Sequence, residues 1–121
     1  MKTSNRAMII AAISIALSTS AQAADLYTSL CDSPYETMYC TVVNARTSPV
    51  TLTIESLDYF GHVVDSSGSL QLAPEEATAL KATSTATRCK FAVVGSPTSV
   101  VAQAISARDD NDKYTIAVPA Q

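Results

Sequence analysis

The chain has 121 residues and a formal net charge of −3; 47% of its residues are apolar and 16% are charged. That length accommodates one domain, and the apolar share excludes an intrinsically disordered protein. The mildly acidic balance lacks the basic footprint of proteins that bind nucleic acid or anionic membrane surfaces.

The N-terminus has the three-part layout of a secretory signal peptide. Two basic residues precede an apolar run at residues 7–17, and the sequence Ala-Gln-Ala at residues 21–23 fits a small-x-small cleavage site. An uncleaved membrane anchor is the alternative, but a spanning helix needs about 20 apolar residues. We therefore expect residues 1–23 to be a signal peptide. Residues 24–121 then form one domain, exported to the periplasm or the extracellular space, with no membrane insertion after cleavage.

The mature chain is predicted to consist of short β-strands. The clearest period-two pattern starts at Val50, with Leu52 and Ile54 on the same face, and the strand is expected to bulge or end near Ser56. A turn is expected at residues 58–61, where Gly61 can supply a positive φ if one is needed. Further strands are predicted at residues 38–45, 62–65, 70–72, 78–83, 88–95, 99–107 and 114–118, and residues 26–30 can form a short edge strand.

Three stretches of the mature chain carry specific expectations. The serine- and glycine-rich residues 66–69 are expected to break the chain between two separate strands. Alanines in residues 78–83 would suit a helix, but the threonines and the short length favour a strand. Residues 99–107 are apolar enough for a strand that is buried on both faces. Seven to eight short strands with frequent turns predict an all-β, antiparallel, immunoglobulin-like β-sandwich, with a small closed barrel as the alternative.

Three cysteines, Cys31, Cys40 and Cys89, lie in the part predicted to be exported, where disulfides form. A bridge between Cys40 and Cys89 would join two strand interiors and close a long loop, so it is our first expectation. A bridge between Cys31 and Cys40 around a proline-containing loop is the alternative, because spacing alone does not fix connectivity. If Cys40 and Cys89 are paired, Cys31 is a buried or tolerated thiol, a reactive thiol, or a cysteine that pairs between chains.

Several short runs resemble small exported bacterial proteins of unassigned function with an immunoglobulin-like or fibronectin-III-like plan. The resemblance covers most of the mature chain and implies a β-sandwich and no activity. The runs that carry it are residues 40–44, 49–55, 61–64, 72–74 and 89–91.

No catalytic, cofactor or metal site is predicted. His62 is the sole histidine, and no Gly-x-Ser-x-Gly motif accompanies it. The acidic residues 109–112 resemble the start of a calcium loop, but Tyr114 and Ala120 stand where that loop needs glycine and glutamate. We interpret residues 109–112 as a solvated turn.

The interaction residues predicted from the sequence are Cys31, Tyr35, Tyr59 and Phe60, because aromatic side chains in loops can anchor a partner, although tyrosines also pack in sandwich cores. We expect a non-catalytic binding module of the cell envelope or the secreted fraction, with a protein or an envelope macromolecule as its partner. A structural or assembly subunit that uses edge-strand pairing is the alternative. A small hydrolase or metal protein is a third class, which the residue counts argue against.

Overall fold

The computed structural model of the chain describes residues 23–31, 36–108 and 115–121. The predicted signal peptide, apart from Ala23, lies outside these residues, as do Tyr35 and the acidic residues 109–112, for which a solvated turn was predicted. No helix in the described part of the chain is long and apolar enough to cross a membrane. The strands found there are β1 (Ala23–Tyr27), β2 (Glu36–Asn44), β3 (Val50–Leu57), β4 (Val63–Leu72), β5 (Ala77–Lys81), β6 (Arg88–Val94), β7 (Val100–Arg108) and β8 (Thr115–Pro119), with a 3₁₀ turn at Pro97–Ser99.

The strands form two four-stranded antiparallel sheets. The first sheet has the order β1-β6-β3-β4, and the second has the order β5-β2-β7-β8. The central pair of each sheet joins strands far apart in sequence, β3 with β6 and β2 with β7. The all-β sandwich expected from the sequence is thereby confirmed.

The core lies between the sheets and follows the period-two alternation of their strands. Val50, Leu52 and Ile54 of β3 are buried, and so are Phe91 and Val93 of β6. Inward residues of the second sheet meet them from the opposite side, because successive side chains of a strand point to opposite faces. The buried apolar residues of β2 and β7 are Met38, Cys40, Val42, Val100, Ala102 and Ala104.

A disulfide joins the two sheets through the middle of this core. Cys40 of β2 and Cys89 of β6 are bonded, with a Cα–Cα distance of 5.7 Å, and both are fully buried. The first of the two expected connectivities is therefore the one found. An inter-sheet disulfide is an immunoglobulin-like feature, whereas the strand order is different, since the first two strands of an immunoglobulin domain are neighbours in one sheet.

The serine- and glycine-rich break expected at residues 66–69 is wrong, because β4 runs through it. Ser67 and Gly68 lie together opposite Ile54, which makes a β-bulge and not an end. The Ile54 amide donates to Ser67 Oγ at 2.9 Å, so the Ser67 side chain provides the acceptor that a backbone carbonyl would otherwise provide in the ladder. Gly68 has φ +67°, a value that suits glycine. The bulge expected in β3 near Ser56 is not found. The register shift beside Ser56 leaves Val64 of β4 as the extra residue, whereas β3 pairs with β6 without a shift and ends at Leu57, the other outcome expected there.

The second sheet settles two further expectations. Residues 78–83, for which a strand was favoured over a helix, lie largely within β5, which is hydrogen-bonded to β2. The expectation that β7 is buried on both faces is wrong. Its inward residues are buried, but Val101 is 62% exposed and Ile105 is half-buried, because no described segment covers that side of the sheet.

The two open sides of the sandwich are joined differently. On one side, Tyr27 of β1 exchanges two backbone hydrogen bonds of 3.0 Å with Gln121, which follows β8. On the other side, β4 and β5 share no ladder among the described pairs, and Asp65 of β4 reaches Thr83 beyond β5 through its side chain. The closure is one-sided, so the architecture is a sandwich and not the closed barrel.

Asn44 fastens the turns at one end of the sandwich. Its buried side chain donates to the carbonyl oxygens of Ser48 (2.9 Å) and Leu72 (3.1 Å), and its Oδ1 accepts from the Arg46 amide (2.8 Å). Its backbone carbonyl also accepts from the amide of Glu75 at 3.1 Å. One residue at the end of β2 thus holds both the β2–β3 turn and the β4–β5 turn.

Candidate interaction surface

The turn between β3 and β4, residues 58–62, is organised around the carboxylate of Asp58. Its Oδ1 accepts hydrogen bonds from the amides of Phe60 (2.9 Å) and His62 (2.8 Å). The Asp58 amide donates to the His62 carbonyl at 2.9 Å, and the Gly61 amide donates to the Asp58 carbonyl at 3.1 Å. Four hydrogen bonds therefore fix five residues of backbone. We call residues 58–62 the aromatic turn.

The aromatic turn presents two rings to solvent. Tyr59 is 67% exposed and Phe60 is 81% exposed. Their ring centroids lie 5.8 Å apart in an edge-to-face arrangement, and the Phe60 ring lies 6.4 Å from the His62 ring. Edge-to-face packing is a favoured geometry for aromatic pairs, so the rings support one another without being buried. Two of the four residues predicted to interact thus form one exposed cluster.

Electrostatics favour the ionised form of Asp58, on which the aromatic turn depends. The amide hydrogen bond from His62 is the largest influence on the pKa of Asp58 and lowers it. Desolvation acts in the opposite direction, but the Phe60 amide and the His62 ring also lower the pKa, so the net shift is downward. The turn therefore keeps its charged acceptor at neutral pH.

Gly61 makes the aromatic turn sterically feasible. Its φ is +85°, so the positive value that glycine can supply is needed here, and a Cβ at this position would lie 3.3 Å from Arg88 Nη2. The guanidinium of Arg88, at the start of β6, therefore packs directly beneath the turn. A side chain at residue 61 would be strained by the backbone and crowded by Arg88.

Cys31 lies at the same end of the sandwich as the aromatic turn. Its amide donates to the Thr87 carbonyl at 2.6 Å, and the Thr87 amide donates to the Leu57 carbonyl at 2.8 Å, one residue before the turn. The Cys31 side chain is half-buried and packs against the core, unlike the rings of the turn. The described segment ends at Cys31, so Tyr35 of the same loop stays a prediction.

The outer faces of the two sheets differ in polarity. On the first sheet, Lys90 Nζ lies 4.0 Å from Asp25 Oδ2 and 3.7 Å from Glu55 Oε1, and it lies 5.8 Å from the centroid of the Tyr27 ring. These charges make that face a solvated one.

The outer face of the second sheet is almost free of charge. Aligned positions on β5, β2 and β7 form a shallow trough of about 470 Å³, and none of the residues that line it is charged. This surface was not predicted as a site from the sequence. The observation that could have indicated it is that β7 has apolar residues on both of its faces. We call its outward residues the β2 face: Tyr39, Thr41, Val43, Ala77, Ala79, Lys81, Val101, Gln103 and Ile105.

The described residues contain no group of three His, Cys, Asp or Glu side chains that could hold a metal ion. His62 Nδ1 lies 3.4 Å from Asp58 Oδ2, and the His62 side chain is 79% exposed. A histidine that acts as a general base works within a cleft that positions a substrate, whereas this one stands on an exposed turn.

The comparisons with known proteins identify a fold and no more. No protein-family model matches the chain, and no curated protein matches it. One solved structure, titled "Crystal Structure of Thermotoga maritima 1070", superposes with a TM-score of 0.54 and 12% sequence identity, over 80% of this chain and 91% of that one. At that identity the likeness concerns the sandwich alone.

Proposed function

We propose that the protein is an exported, non-catalytic binding module that contacts a protein or another envelope macromolecule through the aromatic turn. The observation that carries the proposal is the exposure of Tyr59 and Phe60, 67% and 81%, on a backbone held by Asp58. Exposed aromatic side chains are the anchors that most often dominate binding energy at interfaces. The resemblance to small exported sandwich proteins implies no activity, which agrees with the non-catalytic part of the proposal.

The rigid backbone of the aromatic turn favours binding of a partner, in addition to exposing the two rings. A loop that is already fixed in its bound conformation loses little entropy when a partner is bound. The hydrogen bonds to Asp58 and the positive φ of Gly61 supply that preorganisation before any partner arrives. The two rings can then insert together as one anchor.

Site-specific photo-cross-linking tests this function in cells that express the protein. A benzophenone amino acid replaces Phe60 in one strain and Thr98 in a control strain. Thr98 is also exposed but lies in the 3₁₀ turn that follows β6, at the opposite end of the sandwich. We expect a discrete adduct from position 60 and none from position 98. Equal labelling from both positions, or no adduct from either, would contradict the proposal.

A second variant tests whether the shape of the turn matters. Gly61→Ala leaves both rings in place but opposes the φ of +85° and crowds Arg88. We expect a reduced yield of the adduct from position 60, while a thermal melt shows that the sandwich is still folded. An unchanged yield would show that the rings act without the preorganised turn.

Export is the second part of the proposal. It is supported by the signal-peptide pattern at residues 1–23 and by a disulfide that suits an oxidising compartment. Intact-mass analysis of periplasmic and culture-supernatant fractions should give a chain that begins at Ala24. Recovery of the uncleaved chain from the cytosol alone would overturn this part.

Assembly by edge-strand pairing has less support. Gln121 covers the edge of β1 at Tyr27, and β4 carries the Ser67–Gly68 bulge, a device that discourages edge-to-edge pairing. The rest of β1 and the described parts of β5 and β8 remain as edges, and none of these three strands is longer than five residues. Short edge strands offer few hydrogen bonds to an added strand.

A further inference from the structure

Strand β6 carries two cations on the outer side of the first sheet, and the two differ in their partners. Cys89 is buried in the disulfide, so its neighbours Arg88 and Lys90 point outward. Lys90 Nζ lies 4.0 Å from a carboxylate oxygen of Asp25 and 3.7 Å from one of Glu55. No ion pair among the described residues includes Arg88, and its Nε is buried without a hydrogen-bond partner. The charge of Lys90 is matched within the fold, and that of Arg88 is not matched by any described residue.

The guanidinium of Arg88 is also partly withdrawn from water, because its side chain is half-buried. Buried donors of folded proteins nearly always have a partner, so an unpartnered one calls for an explanation. A cation that has lost part of its hydration attracts an anion more strongly than a fully solvated cation does, because the local dielectric constant is lower. The part of the side chain that remains accessible lets an anion approach from solvent.

Apolar side chains flank Arg88 on the same side of the sheet. Leu57 of β3 stands directly opposite Arg88, and Val63 of β4 stands opposite Leu57. Directly opposite residues share a face, with Cβ atoms about 4.5–5.5 Å apart. Leu57 is buried, whereas Val63 is 52% exposed. We call these three residues the Arg88 row.

The aromatic turn stands at the end of the Arg88 row, because it connects Leu57 to Val63. Gly61 of the turn approaches the guanidinium so closely that a Cβ there would lie 3.3 Å from Arg88 Nη2. The exposed rings of Tyr59 and Phe60 belong to the same five residues. A group that contacts the aromatic turn therefore also comes close to an unpaired cation and an exposed apolar side chain.

We propose that Arg88 binds a carboxylate of a protein partner, while the aromatic turn and Val63 contact an apolar side chain beside that carboxylate. This inference rests on the proposed function and adds the chemistry of the group that is recognised. A guanidinium presents a planar fork of N–H donors that matches the two oxygens of a carboxylate. The partner's group is the side chain of an aspartate or glutamate, or a C-terminal carboxylate.

The charges around the site favour a carboxylate over a phosphate. The aromatic turn contains the ionised Asp58, whose pKa is lowered, and the whole chain has a net charge of −3. Coulomb repulsion by these charges is about twice as large for a dianion as for a monoanion. A phosphate would also need a second cation, but Lys90 is already paired with two carboxylates.

An NMR titration of the ¹⁵N-labelled protein with N-acetylphenylalanine tests the site directly. This probe carries one carboxylate beside one apolar side chain. We expect saturable shifts of the Gly61 amide and of the Arg88 Nε–H signal, which burial protects from exchange with water. N-acetylphenylalanine amide, which lacks the charge, and inorganic phosphate should each bind at least about tenfold more weakly.

Two arginine variants give the matched comparison. Arg88→Met keeps an unbranched apolar stem and removes the fork, so it should weaken binding of N-acetylphenylalanine at least about tenfold. Arg46→Met is the control, because Arg46 is an exposed arginine in the β2–β3 turn at the opposite end of the sandwich. This control should leave the affinity unchanged. Arg88→Lys keeps the charge without the fork and should restore binding only in part.

The cross-link from position 60 separates this inference from the proposed function. Arg88→Met should lower the adduct yield several-fold and Arg46→Met should not. The cross-linked peptide of the partner should contain an acidic residue or its own C-terminus next to the linked residue.

An adduct whose yield is the same with Arg88→Met as with Arg46→Met would overturn the carboxylate site and leave the proposed function standing. Absence of any adduct would overturn both. Equal affinities for N-acetylphenylalanine and its amide, or tighter binding of phosphate, would also refute the site, and these two comparisons need no variant to fold.

Discussion

The carboxylate of Asp65 on β4 binds Thr83 beyond β5 with both of its oxygens. Oδ2 accepts from the Thr83 amide at 2.8 Å, and Oδ1 accepts from Thr83 Oγ1 at 2.7 Å. Ser56 Oγ donates to the same Oδ2 at 2.6 Å. One acidic side chain therefore links the edge of the first sheet to the second sheet, on the side of the sandwich where β4 and β5 share no ladder in the described pairs.

Asp65→Ala should lower the free energy of unfolding by about 1–3 kcal/mol at pH 7, because three donors lose a charged acceptor. Desolvation raises the pKa of Asp65, but the hydrogen bonds from Ser56 and Thr83 outweigh it, and the pKa lies below the ordinary value of 3.8. The stabilisation is therefore complete well above pH 3.8 and is lost as the pH falls through the lower folded-state pKa. Urea unfolding at pH 7 and pH 3 should show the difference between wild type and variant shrink.

The control for this prediction is Asp25→Asn, on a half-exposed carboxylate whose ion-pair contact with Lys90 is 4.0 Å long. It should change stability by less than about 0.5 kcal/mol at both pH values. A difference between wild type and Asp65→Ala that persists at pH 3 would contradict the role assigned to the ionised carboxylate.

Asn44→Ala should destabilise the protein by about 2–4 kcal/mol, because the Leu72 carbonyl and the Arg46 amide lose their partner at a buried position. Gln71→Ala, which removes an exposed amide on neighbouring β4, should stay within about 0.5 kcal/mol of wild type. Equilibrium urea unfolding measures both. Equal effects of the two substitutions would show that Asn44 does not fasten the turns.

Replacement of both Cys40 and Cys89 by alanine should cost about 4 kcal/mol, since the disulfide closes a sequence separation of 49 residues. That is a large part of the roughly 5–15 kcal/mol that stabilises a domain. Unfolding followed by circular dichroism, with and without reductant, gives the comparison. Cys31→Ser should cost less, and reductant should still destabilise that variant.

Glu75→Gly should stabilise the protein by about 0.5–1 kcal/mol. Glu75 has φ +65°, where a residue with a Cβ is strained and glycine is not, and the relief exceeds the added flexibility of the unfolded chain. Glu76→Gly is the matched control. This substitution should destabilise the protein, because the Glu76 carboxylate accepts a hydrogen bond of 3.0 Å from the Ala73 amide. Thermal melts that move in one direction for both variants would refute this account.

Strands and their buried residues were predicted most accurately where apolar and polar residues alternate along a single strand. The inward residues of β3 and β6 follow from alternation alone, and the disulfide follows from two cysteines inside such strands. Ser67 and Gly68 were beyond this reasoning, because their composition favours a break and the contact that continues β4 is made with Ile54 on another strand. Periodicity contains no information on such partners.

The candidate site was predictable in part for the same reason. Tyr59 and Phe60 could be identified because aromatic side chains in loops can anchor a partner, although the sequence did not distinguish this role from packing in the core. The role of Asp58 was missed, although an aspartate that bonds the backbone two residues later is a known turn device. The apolar pattern of β7 predicted two covered sides, whereas the described residues cover only the inward one.

The complete burial of Cys40 and Cys89 has a consequence for how the protein matures. Thiol–disulfide exchange requires in-line access to a sulfur atom, and neither sulfur can be reached while the sheets are packed together. An oxidase must therefore act on a nascent chain whose sheets are still apart. Once the sheets have packed together, an external thiol can reduce the disulfide only when they separate. The rate of reduction then reports the rate at which the two sheets separate.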